Sequence, residues 1–273
     1  MRTLSVAHTP DADDAFMFHG MVNEKVAKNF EIINVIEDIE TLNRKAFKAE
    51  NDVTALSAHA YAFLNEKYRI LSTGASIGDG YGPVIVAKKG MAIEGKKIAI
   101  PGKLTTANLL LMLACDDFQP VEMKFDEIIG AVQRGEVDAG LLIHEGQITY
   151  SQHNLVKVFD LWDWWYKKTS LPMPLGINTI KREIPEDLQR EFLKVMREST
   201  KYALENVDEA MQYAMKYSRG MDEKLITKFA LMYVNNYTYE MPEAVRKALA
   251  ELYKMSEAKG FFEMPPLDIL YPY

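Results

Sequence analysis

An imidazole that closes a buried apolar run is a candidate proton acceptor, and the chain carries one at His144, directly after DAGLLI (138–143). Partial burial there is expected to keep the ring neutral, and therefore basic, near pH 7. The competing reading is an ordinary strand-end histidine satisfied by its neighbours. Glu145 follows at once, but adjacent side chains on extended backbone point to opposite faces, which makes it a weak orienting partner. In AIPGKLTTANLL, Pro101-Gly102 turn the chain and Thr105-Thr106 open a helix. Hydroxyls and amides at such a start can hold a carboxylate, and the plainer alternative is a helix cap. A third junction, AHTPDADDAF, runs from Thr9 to Asp14, with Asp13 or Asp14 as N-cap. Ser57 closes VTALS, where its hydroxyl either meets a ligand or caps the helix that follows. His8 ends the first apolar run and is placed at the border of the same cleft, whereas His19, His59 and His153 read as structural or exposed.

Other chemistries lack their residues. There is no serine nucleophile elbow, P-loop or dinucleotide glycine fingerprint, and GASIGDGYGP (74–83) reads as a connecting loop because no strand–helix context surrounds it. Asp11, Asp13 and Asp14 have no matching spaced histidine or acidic partner set, so capping and solvation are expected and no metal is expected. Cys115 stands alone in LLLMLACDD and reads as a small hydrophobe, in keeping with a reducing compartment.

The elements that must position these residues are legible as alternation. β-rich runs and helical patterns succeed one another: 3–8, 14–23, 31–37, 39–50 and 53–57, then a β segment at 82–88. The pattern restarts with 96–100, a helix from Thr105, 121–125, a helix over 126–136, and 138–143. Two similar α/β halves with parallel strands are expected, and ligands in such sheets bind beyond the carboxyl ends of strands. From Pro185 the spacing turns helical, with further helices around 222–233 and 242–259 that pack back mainly on the first half. LWDWWYKK (161–168) has helical spacing and reads as core or hinge packing rather than a stacking platform. The division expected is a first lobe of 1–90 plus 178–273 and a second lobe of 91–177.

The chain has 273 residues, 48% of them hydrophobic, and a formal net charge of −7. That length and apolar content suffice for a sizeable core. The acidic balance argues against nucleic acid and anionic membrane surfaces as partners, and favours a small molecule. The first residues do not form a secretory signal and no run approaches membrane-spanning length, so a cytoplasmic location is expected. Oligomeric state is left open.

Taken together, TPDADDAFMFH (9–19), IEDIETLNR (36–44), TALSAHAY (54–61), GPVIVAK (82–88), PGKLTTA (101–107), GEVDAGLLIHEG (135–146) and LPMPLG (171–176) resemble one family, over nearly the whole chain. It is the 1,4-dihydroxy-6-naphthoate synthase family of the futalosine route to menaquinone. The resemblance implies a two-lobed type II periplasmic-binding-protein-like fold, and a carbon–carbon lyase acting on a carboxylated substrate, cyclic dehypoxanthine futalosine, without a cofactor. It implies that His144 accepts the proton, that Thr105 and Thr106 bind substrate, and that Leu56-Ser57 form another wall. With the first junction added, the candidate substrate contacts are Thr9, Asp13, Asp14, Leu56, Ser57, Thr105 and Thr106. The chain departs from the family's usual pattern in three places: Asp13 replaces an amide, Ala15 a hydroxyl, and Ala55 a lysine. The alternatives are a non-catalytic small-acid binding protein of a transporter or sensor, and a chorismate dehydratase relative.

Overall fold

The computed structural model describes residues 2–217 and 223–272; the expected helical start at Asp222 lies outside them. The first half runs β1 (Arg2–His8), α1 (Ala12–Val22), β2 (Phe30–Ile36), α2 (Ile39–Ala46), β3 (Val53–Ser57), α3 (Ala58–Tyr61), β4 (Tyr68–Leu71) and β5 (Ser76–Gly78). The second contains β6 (Val84–Ala87), β7 (Lys96–Ile100), α4 (Thr106–Ala114), β8 (Phe118–Glu122), α5 (Ile128–Arg134), β9 (Ala139–Leu142), α6 (Gly146–Thr149) and β10 (Val156–Asp160). There follow α7 (Leu161–Thr169), β11 (Met173–Lys181), α8 (Glu186–Glu205), α9 (Val207–Ala214), α10 (Glu223–Tyr233), α11 (Asn236–Tyr239), α12 (Glu243–Ala258) and β12 (Ile269–Leu270).

Two sheets result, ordered β12-β4-β11-β3-β1-β2, with β5 on β11, and β10-β6-β9-β7-β8. Each repeats one motif: a central strand (β1 or β7) flanked by two parallel neighbours (β2 and β3, or β8 and β9), with an antiparallel strand (β11 or β6) beside the third. The expectation of parallel strands therefore holds for the βαβ cores and for the short pairing of β12 with β4, and fails elsewhere. The antiparallel strands are those adjoining the passages between sheets, so the chain enters them from the cleft side. By strand membership the passages fall at 79–83 and 161–172, a few residues before the 90/91 and 177/178 boundaries expected from sequence. The 74–83 segment, expected as loop, contains the short strand β5.

α1 is apolar nearly all round and buried throughout, as a helix covered on every side must be. Phe16, Phe18 and Met21 pack with Phe192, Met196 and Met211 of α8 and α9, and Ser199 Oγ donates to the Met17 carbonyl at 2.7 Å. The C-terminal helices thus clamp α1 onto the larger sheet. Leu161, Trp162 and Trp165 of α7 are buried, and Trp165 Nε1 donates to the Leu171 carbonyl at 3.0 Å, so these members of the aromatic cluster are core while Tyr166 is exposed. In β9 a side chain at Gly140 would meet Ile128 Cγ2 at 2.4 Å; only glycine lets α5 seat against the strand that ends just before His144. Among the described residues no helix is long and apolar enough to cross a membrane.

Candidate active site

Four strand ends converge. β1 and β3 of the larger sheet, and β7 and β9 of the smaller, deliver their carboxyl-terminal junctions to one cavity, the place where open α/β sheets bind ligands. Thr9, Asp13, Asp14, Leu56, Ser57, Thr105, Thr106 and His144 all line it.

At the first junction the N-cap of α1 is Asp11, not Asp13 or Asp14, and its side chain makes no cap bond. It turns instead toward Thr9 and His144. Thr9 Oγ1 lies 2.9 Å from Asp11 Oδ2 and 2.7 Å from Asp14 Oδ2, so its single proton serves one carboxylate at a time, while the Thr9 N–H donates to Asp14 at 2.8 Å. The expectation of solvated caps is corrected here: Asp11, Asp13 and Asp14 are only 5%, 7% and 5% exposed, because α1 is overlaid by the C-terminal helices. Burial raises the Asp14 carboxyl above its ordinary range, with His8 and the Thr9 bonds pulling it back. Burial and the charges of Asp14 and Asp11 hold Asp13 well above it. Among the described residues no group of three or more His, Cys, Asp or Glu side chains is arranged to hold a metal.

His144 sits just past β9 with φ 57°, in the left-handed region, a conformation that histidine adopts more readily than most residues and that collects at functional sites. Its Nδ1 lies 2.6 Å from Asp11 Oδ2, and its ring meets the Phe125 ring edge-on at 4.6 Å. Asp11 belongs to the larger sheet's junction and His144 to the smaller sheet's, so this pair spans the cleft. Burial disfavours the imidazolium, but the Asp11 charge and hydrogen bond outweigh it and push the ring up to about 9. The neutral ring expected from sequence is therefore corrected: at pH 7 the ligand-free ring is mainly protonated. Tyr233 and Gln147 close the space behind it, the Tyr233 hydroxyl hydrogen-bonded to the Gln147 side-chain amide at 3.0 Å.

Thr105 is the N-cap of α4: its Oγ1 accepts from the Asn108 N–H at 3.2 Å and donates to the Gly102 carbonyl at 2.8 Å. Thr106 Oγ1 donates to the Leu175 carbonyl at 2.5 Å and accepts from the His59 N–H at 3.2 Å. The capping reading thus describes Thr105, and both residues still present the helix start to the cavity. There Thr106 and Ala107 carry backbone N–H groups without intrahelical partners, suited to an anion. Ser57 lies at the start of α3 without a side-chain cap bond; Asn43 holds it from both ends, its Nδ2 donating to Ser57 Oγ at 3.0 Å and its Oδ1 accepting the Ser57 N–H at 2.9 Å.

His8 does not border the cavity. It is fully buried, stacked on Phe18 at 4.6 Å, with Nδ1 2.7 Å from the Thr9 carbonyl. That contact fixes the proton on Nδ1, and burial keeps the ring neutral. His59 is buried beneath Thr105 and His19 packs against Tyr213, both structural. Asp11, Asn43, Gln147 and Tyr233 were not singled out as site residues from sequence. Only Asp11 left a signal, as a third acid beside Thr9 at a strand-to-helix turn.

Residues 4–258 match the family model described as menaquinone biosynthesis. A relative from Thermus thermophilus named 1,4-dihydroxy-6-naphthoate synthase is 37% identical over 267 residues, covering 97% of this chain and 98% of its own length. A crystal structure of a protein from Archaeoglobus fulgidus is 63% identical, with TM-score 0.93 over 95% of this chain and 98% of that one. A Candida albicans protein described as having the generic periplasmic binding protein fold superposes with TM-score 0.66 at 13% identity, over 99% of this chain and 96% of that one. At that identity the last likeness shows the fold alone.

Proposed function

Because the chain belongs to the menaquinone biosynthesis family, as an enzyme of that pathway, we propose that it is a carbon–carbon lyase converting cyclic dehypoxanthine futalosine to 1,4-dihydroxy-6-naphthoate. The observation that carries the reading is the Asp11–His144 pair at the rim of a cavity between two sheets. With Nδ1 committed to Asp11, the imidazole has Nε2 left for substrate. Neutral His144 takes the proton from the carbon beside the ketone, the sugar-derived fragment leaves, and the bicycle aromatises. Aromatisation supplies the driving force, so the reading requires no cofactor. It takes the cytoplasm as the site of action and the two lobes, divided at the 79–83 and 161–172 passages, as the bodies that close over the substrate and exclude water.

His144 is the only basic side chain lining the cavity among the described residues. A substrate carboxylate therefore needs another partner, which the start of α4 supplies. Replacing Thr105 and Thr106 together by valine removes the cap on Asn108 and the tie to Leu175 that fix the start of α4; with its N–H groups less firmly aimed at the carboxylate, KM is expected to rise roughly tenfold, the scale of one lost hydrogen bond to a charged group, with kcat little changed. An unaltered KM in steady-state assays would remove these residues from substrate binding.

The proposed activity is tested by incubating the purified protein with the cyclic precursor and following naphthoate absorbance. Turnover supports the lyase. Tight binding without turnover favours passive capture of a small acid, and turnover of chorismate instead favours a dehydratase.

A further inference from the structure

The three aspartates at the head of α1 are not equally supported. Asp11 has the His144 ring at 2.6 Å, and Asp14 has the Thr9 N–H at 2.8 Å with the Thr9 hydroxyl at 2.7 Å. Among the described residues Asp13 receives only the Ser76 hydroxyl, at 3.3 Å. It is as buried as the others and lines the same cavity.

The groups acting on Asp13 come from every side. Asp11 and Asp14 share its helix, His144 and Glu145 face it from the start of α6, and Tyr81 and Tyr233 approach from the β5–β6 passage and α10. Burial keeps both tyrosines neutral. Among these charged neighbours only His144 favours an ionised Asp13, its charge is already matched by Asp11, and the long Ser76 bond adds little. When neighbouring carboxyls in a closed space cannot all ionise, the proton stays on the one with the weakest donors.

We propose that Asp13 meets the substrate as a neutral carboxylic acid and donates a hydrogen bond to the ketone oxygen on which negative charge develops as His144 removes the neighbouring proton. The proposal rests on the lyase reading and assigns that site a second residue in contact with substrate. The cavity otherwise offers the developing oxyanion few donors near His144, while Asp11 and Asp14 repel it. A neutral acid held in place answers both difficulties, and its hydrogen stays on Asp13, so no net proton transfer is added to the reaction.

A carboxamide has nearly the same planar shape as a carboxylic acid and also carries a donor. Asp13→Asn is therefore expected to keep kcat within about tenfold of wild type, while Asp13→Ala loses roughly 10²–10³-fold, the cost of removing one donor to an oxyanion. The infrared spectrum of the wild type at neutral pH is expected to contain the carbonyl stretch of a protonated buried carboxyl that is missing from Asp13→Asn. Equal damage in the asparagine and alanine variants, or an unchanged carbonyl band in Asp13→Asn, would overturn the proposal. The infrared comparison needs no substrate: a band lost in Asp13→Asn together with no turnover of the precursor by the wild type would strike the proposed reaction and retain the neutral acid.

Discussion

His144→Asn is expected to fold normally and to lose roughly 10²–10⁴-fold in kcat, the usual contribution of a positioned general base. Asparagine is the informative replacement because it tolerates the left-handed backbone, φ 57°, that His144 occupies, where alanine would add strain. It can still hydrogen-bond Asp11, so the contact across the cleft need not be lost with the base. Thermal unfolding close to wild type, with kcat reduced and KM little altered, is the pattern of a group that acts in the transition state. Near-normal turnover in the folded variant would remove His144 from the reaction.

Asp11→Asn is expected to move the pH dependence as well as the rate. In the ligand-free protein burial would lower His144 from its ordinary 6.5, but the Asp11 carboxylate outweighs it and holds the ring at about 9. A base must be unprotonated, so kcat/KM of the wild type should rise tenfold per pH unit and level off near pH 9. Burial is already the largest single influence on the ring, and without the Asp11 charge it is no longer outweighed, so the rising limb is expected to shift down from about 9. The plateau should fall by roughly 10²-fold, at the lower end of a general-base contribution, because the amide orients Nδ1 less firmly. The same pair bears on stability. A folded-state value above the unfolded one stabilises fully below pH 6.5 and is lost as pH rises toward 9, so the unfolding temperature of the ligand-free wild type should decline across that window, and less steeply in Asp11→Asn. A rising limb that stays in place in the variant would show that Asp11 does not govern the base.

The strand-to-helix junctions were legible because their chemistry is local. A β-rich run followed by Thr-Pro, Ala-His, Pro-Gly or His-Glu-Gly marks a strand end, and the residues at four such ends do line one cavity. What sequence could not carry was the pairing across the cleft. Asp11 and His144 are 133 positions apart, 144 − 11, and nothing local says that an N-cap aspartate turns its carboxylate to an imidazole on the opposite sheet. The burial of the three aspartates was hidden for the same reason: α8, α9 and α10, which cover α1, arrive more than 150 residues later. β11 was unreadable as a strand because one proline and a glycine interrupt it. Pro174 and Gly176 sit at the register shift against β5, the kind of irregularity where a sheet admits proline.

The central claim is that His144 removes the proton beside the ketone, and a single-turnover measurement addresses it without interference from product release. Cyclic dehypoxanthine futalosine carrying hydrogen or deuterium at that carbon is mixed with excess enzyme, and naphthoate absorbance is followed in wild type and His144→Asn. The expected result is a several-fold slower rise for the deuterated substrate in wild type and almost none for either substrate in the variant. Equal rates for the two substrates in wild type, or undiminished naphthoate formation by the variant, would contradict it.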